Sequence, residues 1–222
     1  MKVAVIDYNA GNIFSVILAL KRLGVEPLLT NNAEEIKSAD KIIFPGQGEA
    51  SSAMRSLRAA NLDKLIPTLT QPFFGICIGM QLLCSYSEEN DTPCLGVLQQ
   101  RVLRFPSHLG IKIPHVGWNT VQPYSTQIKS TDTIFNAIEN ESYFYFVHSY
   151  YVEIGEDTTI TCDYGLSFSA CMQKDNFFAA QFHPEKSGEA GEKLLKKFLS
   201  TDSNLNFADN SNSSQLKLIN TH

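Results

Sequence analysis

The sequence predicts an α/β protein. It should form three layers, with a mostly parallel central sheet, helices on both faces and additional antiparallel strands in the C-terminal half. Three observations carry this expectation. Strand and helix signals alternate from the N-terminus to about residue 86, the order that builds a parallel sheet covered by helices. From about Gly96 onward, apolar strand-like runs follow one another with polar turns and few helices between them. The composition, 43% hydrophobic and 18% charged over 222 residues, is that of a globular chain with enough apolar residues for a sizeable core.

The elements are read in order. Val3–Ile6 is a short β-branched run, and Ile13, Val16, Ile17 and Leu20 then recur at helical spacing before Gly24, a good helix stop. A second strand is expected over Val25–Leu29, a short helix over Ala33–Asp40 and a third strand over Lys41–Phe44, ended by Pro45-Gly46. Ala50–Ala60 and Leu62–Leu69 read as helices, Phe73–Ile76 as a buried strand and Met80–Tyr86 as a helix. The later strands are expected at Val97–Phe105, Val116–Val121, Tyr143–Val152, Thr158–Cys162, Ser169–Gln173 and Phe177–Phe182, joining the sheet as antiparallel members. A last helix, Ala190–Leu199, puts Ala190, Leu194, Leu195, Phe198 and Leu199 on one face. The expected organisation is one domain over residues 1–199 and an Asn/Ser-rich tail over 200–222, whose composition favours disorder over docking through Leu216, Leu218 and Ile219.

Composition and charge exclude several classes. A net charge of −5 argues against nucleic-acid binding, which leaves a basic footprint. No apolar stretch approaches the roughly 20 residues of a membrane helix, and the start, MKVAVIDYNAGN, lacks the features of a secretory leader. Five cysteines without CxxC spacing fit reduced thiols in a cytoplasmic protein, with no metal site and no disulfide framework.

The strongest local signal is Gly75-Ile76-Cys77-Ile78-Gly79-Met80-Gln81, entered by an apolar strand and left by an apolar helical segment. It is the cysteine form of a nucleophile elbow. A sharp strand-to-helix turn crowds the residues two before and two after the nucleophile, and glycine at both relieves the crowding. The turn sets the sulfur at a helix N-terminus, where the dipole favours the thiolate. The competing reading is a structural cysteine in a glycine-rich βα turn. A general base is offered by Gln181-Phe182-His183-Pro184-Glu185-Lys186: in an extended segment Glu185 lies on the same side as His183 and would orient it. Against this stands a surface turn with an incidental His–Glu pair. The third feature, Pro45-Gly46-Gln47-Gly48, would let backbone N–H groups turn toward a developing oxyanion, or is a plain βα turn. It is not a phosphate-binding loop, since no Gly-Lys-Ser/Thr follows.

Together the elbow, the distant His-x-Glu pair and the glycine loop resemble the class I, or triad, glutamine amidotransferases, with their flavodoxin-like core. The resemblance implies Cys77 as nucleophile, His183 as base and then acid, Glu185 as its orienter, and Gly46 and Gly48 in the oxyanion strand; no cofactor is implied. The segments VAVIDYNAGN, IIFPGQGEA, FFGICIGMQLL, IPHVGWN, YFYFVHSYYV and AAQFHPEKSG are similar to the branch of this family that serves imidazole glycerol phosphate synthase. That likeness implies a free-standing glutaminase that passes ammonia to a separate (β/α)₈-barrel cyclase in histidine biosynthesis, as a heterodimer. It further implies Gln81, Ser149 and Tyr150 around the glutamine, and Asn12, Trp118 and Lys186 toward the cyclase. Bland readings remain for these: Gln81 on a helix surface, Trp118 in the core, Lys186 as a solvated charge. The family usually carries valine where this chain has Gln47, and generally lacks the tail. The alternatives are a paralogue feeding another barrel synthase, for instance in surface-sugar amidination, and a non-enzymatic regulatory subunit; an intact Cys77, His183 and Glu185 speaks against the latter.

Overall fold

The computed structural model describes residues 1–8, 13–124 and 133–202. The expected tail, but for its first three residues, and Asn12 lie outside the described residues. The first half follows the expected alternation. Strand β1 (Val3–Ile6) leads to helix α1 (Phe14–Arg22), β2 (Leu28–Thr30), α2 (Ala33–Lys37), β3 (Lys41–Phe44), α3 (Ala50–Ala59), α4 (Leu62–Leu65), β4 (Phe73–Ile76) and α5 (Ile78–Leu83). Helices α2 and α3 start where Asn32 and Glu49 accept hydrogen bonds from first-turn amides that the helix itself leaves unpaired.

The second half is strand-rich: β5 (Tyr86–Ser87), β6 (Thr92–Pro93), β7 (Arg101–Arg104), β8 (His115–Thr120), β9 (Gln122–Pro123), β10 (Tyr143–His148), β11 (Tyr150–Val152), β12 (Thr158–Asp163), β13 (Ser167–Lys174) and β14 (Phe177–Ala180), closed by α6 (Gly188–Ser200). The central sheet has eight strands in the order β2-β1-β3-β4-β14-β13-β12-β9. The pairs from β2 to β14 are parallel and those from β14 to β9 antiparallel. This is the expected mixed α/β fold. Its central strands read as unbroken apolar runs because both faces are covered. Val3, Val5, Ile43, Phe74 and Ile76 face one core, shared with α1 and α6. Ala4, Ile6, Ile42, Phe44 and Phe73 face the other, shared with α3 to α5.

The structure departs from the sequence reading in several places. The expected strand Tyr143–Val152 is two strands in two different sheets: β10 pairs with β8, and β11 pairs with β7. Ser149 between them gives its carbonyl to the Phe105 amide. The run is rich in apolar and aromatic residues on both sides of the break, with no Gly or Pro to mark it, so the sequence reads as one strand. The antiparallel strands accordingly do not all join the central sheet; β10-β8 and β11-β7-β5-β6 stand apart. The expected helix Met80–Tyr86 begins two residues earlier and ends at Leu83, and Tyr86 instead enters β5. The helix expected over Leu62–Leu69 tightens into a 3₁₀ turn at Ile66–Thr68 around Pro67, which has no N–H to continue the ladder. The strand expected at Val25–Leu29 is displaced and shortened to Leu28–Thr30, and that at Val97–Phe105 shrinks to Arg101–Arg104, where partners exist. Among the described residues no helix is long and apolar enough to cross a membrane.

Helix α6 buries Leu194, Leu195 and Phe198. Phe198 meets Phe74 at 5.4 Å and Phe178 at 6.5 Å between ring centroids, tying the helix to β4 and β14. Replacing Phe198 with Ala should cost roughly 3–5 kcal/mol, read as a lower midpoint in urea unfolding.

Candidate active site

Four neighbouring parallel strands, in the spatial order β1, β3, β4 and β14, end at one edge of the sheet. Open α/β sheets bind ligands beyond the carboxyl ends of their strands. Beyond these four ends lie Tyr8, the segment Pro45–Gly48, Cys77, and Gln181 with His183.

Cys77 is a sharp turn between β4 and α5. Its φ of 53° and ψ of −109° are unusual for a non-glycine residue. Its amide donates to the Ala180 carbonyl at 2.7 Å, so the elbow is pinned to β14. The crowding argument holds in detail at Gly79, where an added Cβ would lie 2.0 Å from the Phe44 backbone oxygen. Helix α5 sits against the end of β3 only because that side chain is missing. The sulfur sits at the helix start, where the first amides have no partner within the helix.

His183 is brought in by β14. Its amide donates to the Tyr145 carbonyl at 2.9 Å, and its Nδ1 bonds Glu185 Oε1 at 2.7 Å. The two side chains are 2% and 4% exposed, so this is a buried pair and not an incidental surface contact. The geometry behind it differs from the extended one expected. Pro184–Lys186 is a 3₁₀ turn starting directly after His183, and the turn brings Glu185 back to the ring. Nε2 is buried and outside strict hydrogen-bond geometry, with the Cys77 sulfur in electrostatic reach. Burial alone lowers the imidazole pKa, but the Cys77 charge and a loose hydrogen bond to it, joined by Glu185, outweigh burial and push it up to about 10.

The segment Pro45–Gly48 borders the elbow. Gly46 is buried, and a Cβ there would lie 2.1 Å from both Ile78 Cγ2 and the Tyr8 hydroxyl. Tyr8 is itself buried and donates to the Pro45 carbonyl at 2.7 Å. Burial first, and then the charge of Cys77, hold its hydroxyl protonated. Gln47 is half-buried, and Gly48 is exposed with a φ of 146°.

Gln81 is buried, not on a helix surface, and donates to the Tyr150 carbonyl at 2.9 Å and to Gln181 Oε1 at 3.0 Å. Ser149 and Tyr150 are half-buried at the junction of β10 and β11. The Tyr150 carbonyl also faces His148 Nδ1 at 2.8 Å, so it is committed within the protein and not open to a ligand. His148 Nε2 lies 3.0 Å from His115 Nδ1. Burial lowers both rings, His148 to about 3 and His115 to about 4, and leaves them neutral. Trp118 is 55% exposed, which settles core against surface. It shares the outer face of the β8–β10 ribbon with exposed Val116 and Tyr143. Lys186 is half-buried as the last residue of the 3₁₀ turn.

Two residues that the sequence reading did not single out line the same edge. Gln181, fully buried, points its amide nitrogen at Cys77 Sγ from 3.7 Å. Its position two before His183 on a strand was the available signal. Tyr8 was signalled only by its place beyond the carboxyl end of β1.

A buried cysteine elbow facing a His–Glu pair on a mixed α/β sheet defines a triad amidotransferase. A family model described as "Glutamine amidotransferase class-I" matches residues 4–201, so the chain belongs to that class. The imidazole glycerol phosphate synthase subunit HisH of Bacteroides fragilis (strain YCH46) is 52% identical over 200 residues, covering 90% of this chain and 99% of that protein. The HisH subunit of Escherichia coli (strain K12) is 44% identical over 200 residues, with the same coverage. Within the class, the chain belongs to the HisH glutaminase subunits of imidazole glycerol phosphate synthase, in histidine biosynthesis. Among solved structures, a crystal structure of a glutamine amidotransferase shares the fold with a TM-score of 0.67 at 20% identity, covering 90% of this chain and 97% of that one. PurLQS from Thermotoga maritima does so with 0.66 at 20%, covering 89% and 97%.

Two outcomes are expected. Gly79→Ala forces backbone apart from backbone, so it should lower the melting temperature and suppress alkylation of Cys77, read by peptide mass spectrometry. In imidazole ¹⁵N NMR, His183 should stay protonated through neutral pH and lose its proton only as the pH rises toward about 10. In Cys77→Ala the largest raising influence is gone while burial still lowers the pKa, so the proton should be lost at a lower pH.

Proposed function

We propose that the chain releases ammonia from glutamine through Cys77, His183 and Glu185, and delivers it to a separate (β/α)₈-barrel cyclase with which it forms a heterodimer. The observation that supports this most is the buried His183–Glu185 pair, raised in pKa by the Cys77 sulfur beside it. The reading takes Cys77 and His183 as a thiolate–imidazolium pair, poised for attack without a prior proton transfer.

The Cys77 thiolate attacks the side-chain amide carbon of glutamine. The carbonyl electrons move to oxygen, and N–H groups of the Gly46–Gly48 segment and of Ile78 receive the oxyanion; one such donor is worth about 10²–10³ in rate. His183 gives its proton to the amide nitrogen, the C–N bond breaks and ammonia leaves a glutamyl thioester. The now neutral His183 takes a proton from water, whose oxygen attacks the thioester. Collapse of the second tetrahedral species returns the Cys77 thiolate and glutamate, with His183 again an imidazolium. Glu185 holds the ring and its charge through both steps. Gln81, Ser149 and Tyr150 border the place for the amino-acid end of glutamine, Tyr150 through groups other than its carbonyl.

The reading places the cyclase against the face carrying Trp118, with Lys186 as a further candidate contact. An exposed Trp118, Val116 and Tyr143 on one ribbon face is apolar surface of the kind that partners cover. Free ammonia would be lost as ammonium in water, so release should be coupled to docking. The free cysteines and the family's pathway fit a cytoplasmic protein.

Glutamate release is the test. Cys77→Ala should abolish it, and Glu185→Gln should lower it on the order of 10²–10⁴-fold with little change in KM. Addition of the barrel cyclase and its ribotide ligand should raise the wild-type rate; equal rates with and without them would remove the coupling. Co-purification of a different barrel synthase would reassign the acceptor.

A further inference from the structure

We propose that Gln181 is a third group acting on the nucleophile, a side-chain amide that donates a hydrogen bond to the Cys77 thiolate. This deepens the proposed glutaminase reading and rests on it for its catalytic meaning. The orientation of the amide follows from the network around it. The Tyr150 carbonyl can only accept, so the Gln81 atom bonded to it at 2.9 Å must be its NH₂. The same NH₂ reaches Gln181 at 3.0 Å, so the Gln181 atom there must be the oxygen. The remaining end of Gln181 is then its NH₂, and it faces Cys77 Sγ at 3.7 Å. No alternative flip satisfies the chain. On the other side, His148 faces the same carbonyl at 2.8 Å with Nδ1, which must carry the proton; its Nε2 accepts from His115 Nδ1 at 3.0 Å. One backbone oxygen thus sets the direction of every donor from the ribbon to the sulfur.

Gln181 is fully buried, and its own amide donates to the Ala170 carbonyl at 2.9 Å, so neither backbone nor side chain is free to turn away. A buried donor fixed on a sulfur lowers the free energy of the thiolate more than that of the thiol, since hydrogen bonds to charged acceptors are roughly twice as strong as neutral ones. It also leaves His183 free to serve the leaving nitrogen. Among the described residues, the titratable groups that act on the sulfur are His183, from the segment after β14, and Tyr8, from beyond the end of β1.

The test is the rate of Cys77 alkylation by iodoacetamide, followed on the Cys77 peptide, which needs no glutaminase turnover. Gln181→Met keeps length and apolar volume but removes the donor. The rate at pH 7 should fall about tenfold, the size of one charge-assisted hydrogen bond, and recover toward wild type at high pH. Gln181→Glu, which turns an anionic oxygen to the sulfur, should fall further. In wild-type protein, the Gln181 side-chain amide proton resonances should shift when Cys77 is replaced by Ala. An unchanged alkylation rate in a folded Gln181→Met protein overturns the proposal, as does an unshifted amide resonance. A role confined to holding Gln81 would raise KM for glutamine and leave alkylation untouched, and that outcome also overturns it. Failure of the glutaminase reading itself would appear instead as intact alkylation behaviour without glutamate release.

Discussion

The parallel pairing of β14 with β4 is the constraint on which the site depends. Ala180 lies opposite Ile76 in this pair, and the Cys77 amide closes the ladder on the Ala180 carbonyl. Residues more than 100 positions apart are thereby set side by side at one sheet edge. The cost of closing so long a loop grows only slowly with its length, and it is offset by strands that bury both faces. Phe73 and Phe177 meet at 5.1 Å on one side, while Phe74, Phe178 and Phe198 pack on the other. The separation of the Cys77 elbow and the segment leading to His183 is therefore set by core packing, while the turn after His183 adds Glu185.

From that pairing follow two polar systems with opposite protonation logic. His183 is buried beside a carboxylate and a sulfur, and their charge overcomes desolvation. His115 and His148 are buried among Phe105, Phe146, Phe168 and Tyr164, with no compensating anion among the described residues, and burial leaves them neutral. A neutral ring can donate at one nitrogen and accept at the other, which is what a directed hydrogen-bond chain requires. The same residue type is thus held charged at one place, as the proposed acid–base role requires, and neutral at the other, and the difference is the charge of the neighbours.

The two systems meet at Tyr150, where β10 ends and β11 begins. Strand β10 belongs to the ribbon that exposes Trp118 on one face and buries His148 on the other. A surface suited to a partner and the network reaching the nucleophile therefore share one two-stranded element. Tyr8 plays a comparable part at the other flank, where its hydroxyl holds the Pro45 carbonyl and fills the space above Gly46.

Much of this was legible in the chain. β1, β3 and β4 were readable to the residue, since apolar runs buried on both faces declare themselves. The elbow, the His-x-Glu pair and the glycine segment were legible too, because their chemistry demands residue types at short, fixed spacings. The split of Tyr143–Val152 was not, because no Gly or Pro marks the junction and a strand's partner is not written in its own residues. Gln181 and Tyr8 were hidden for a related reason: a glutamine and a tyrosine near strand ends have no local signature, and their meaning lies in what stands opposite. Local sequence by itself determined which residues could attack, accept a proton and turn sharply. Only the tertiary structure decided which of them meet, because strand pairing sets distances that no spacing along the chain encodes.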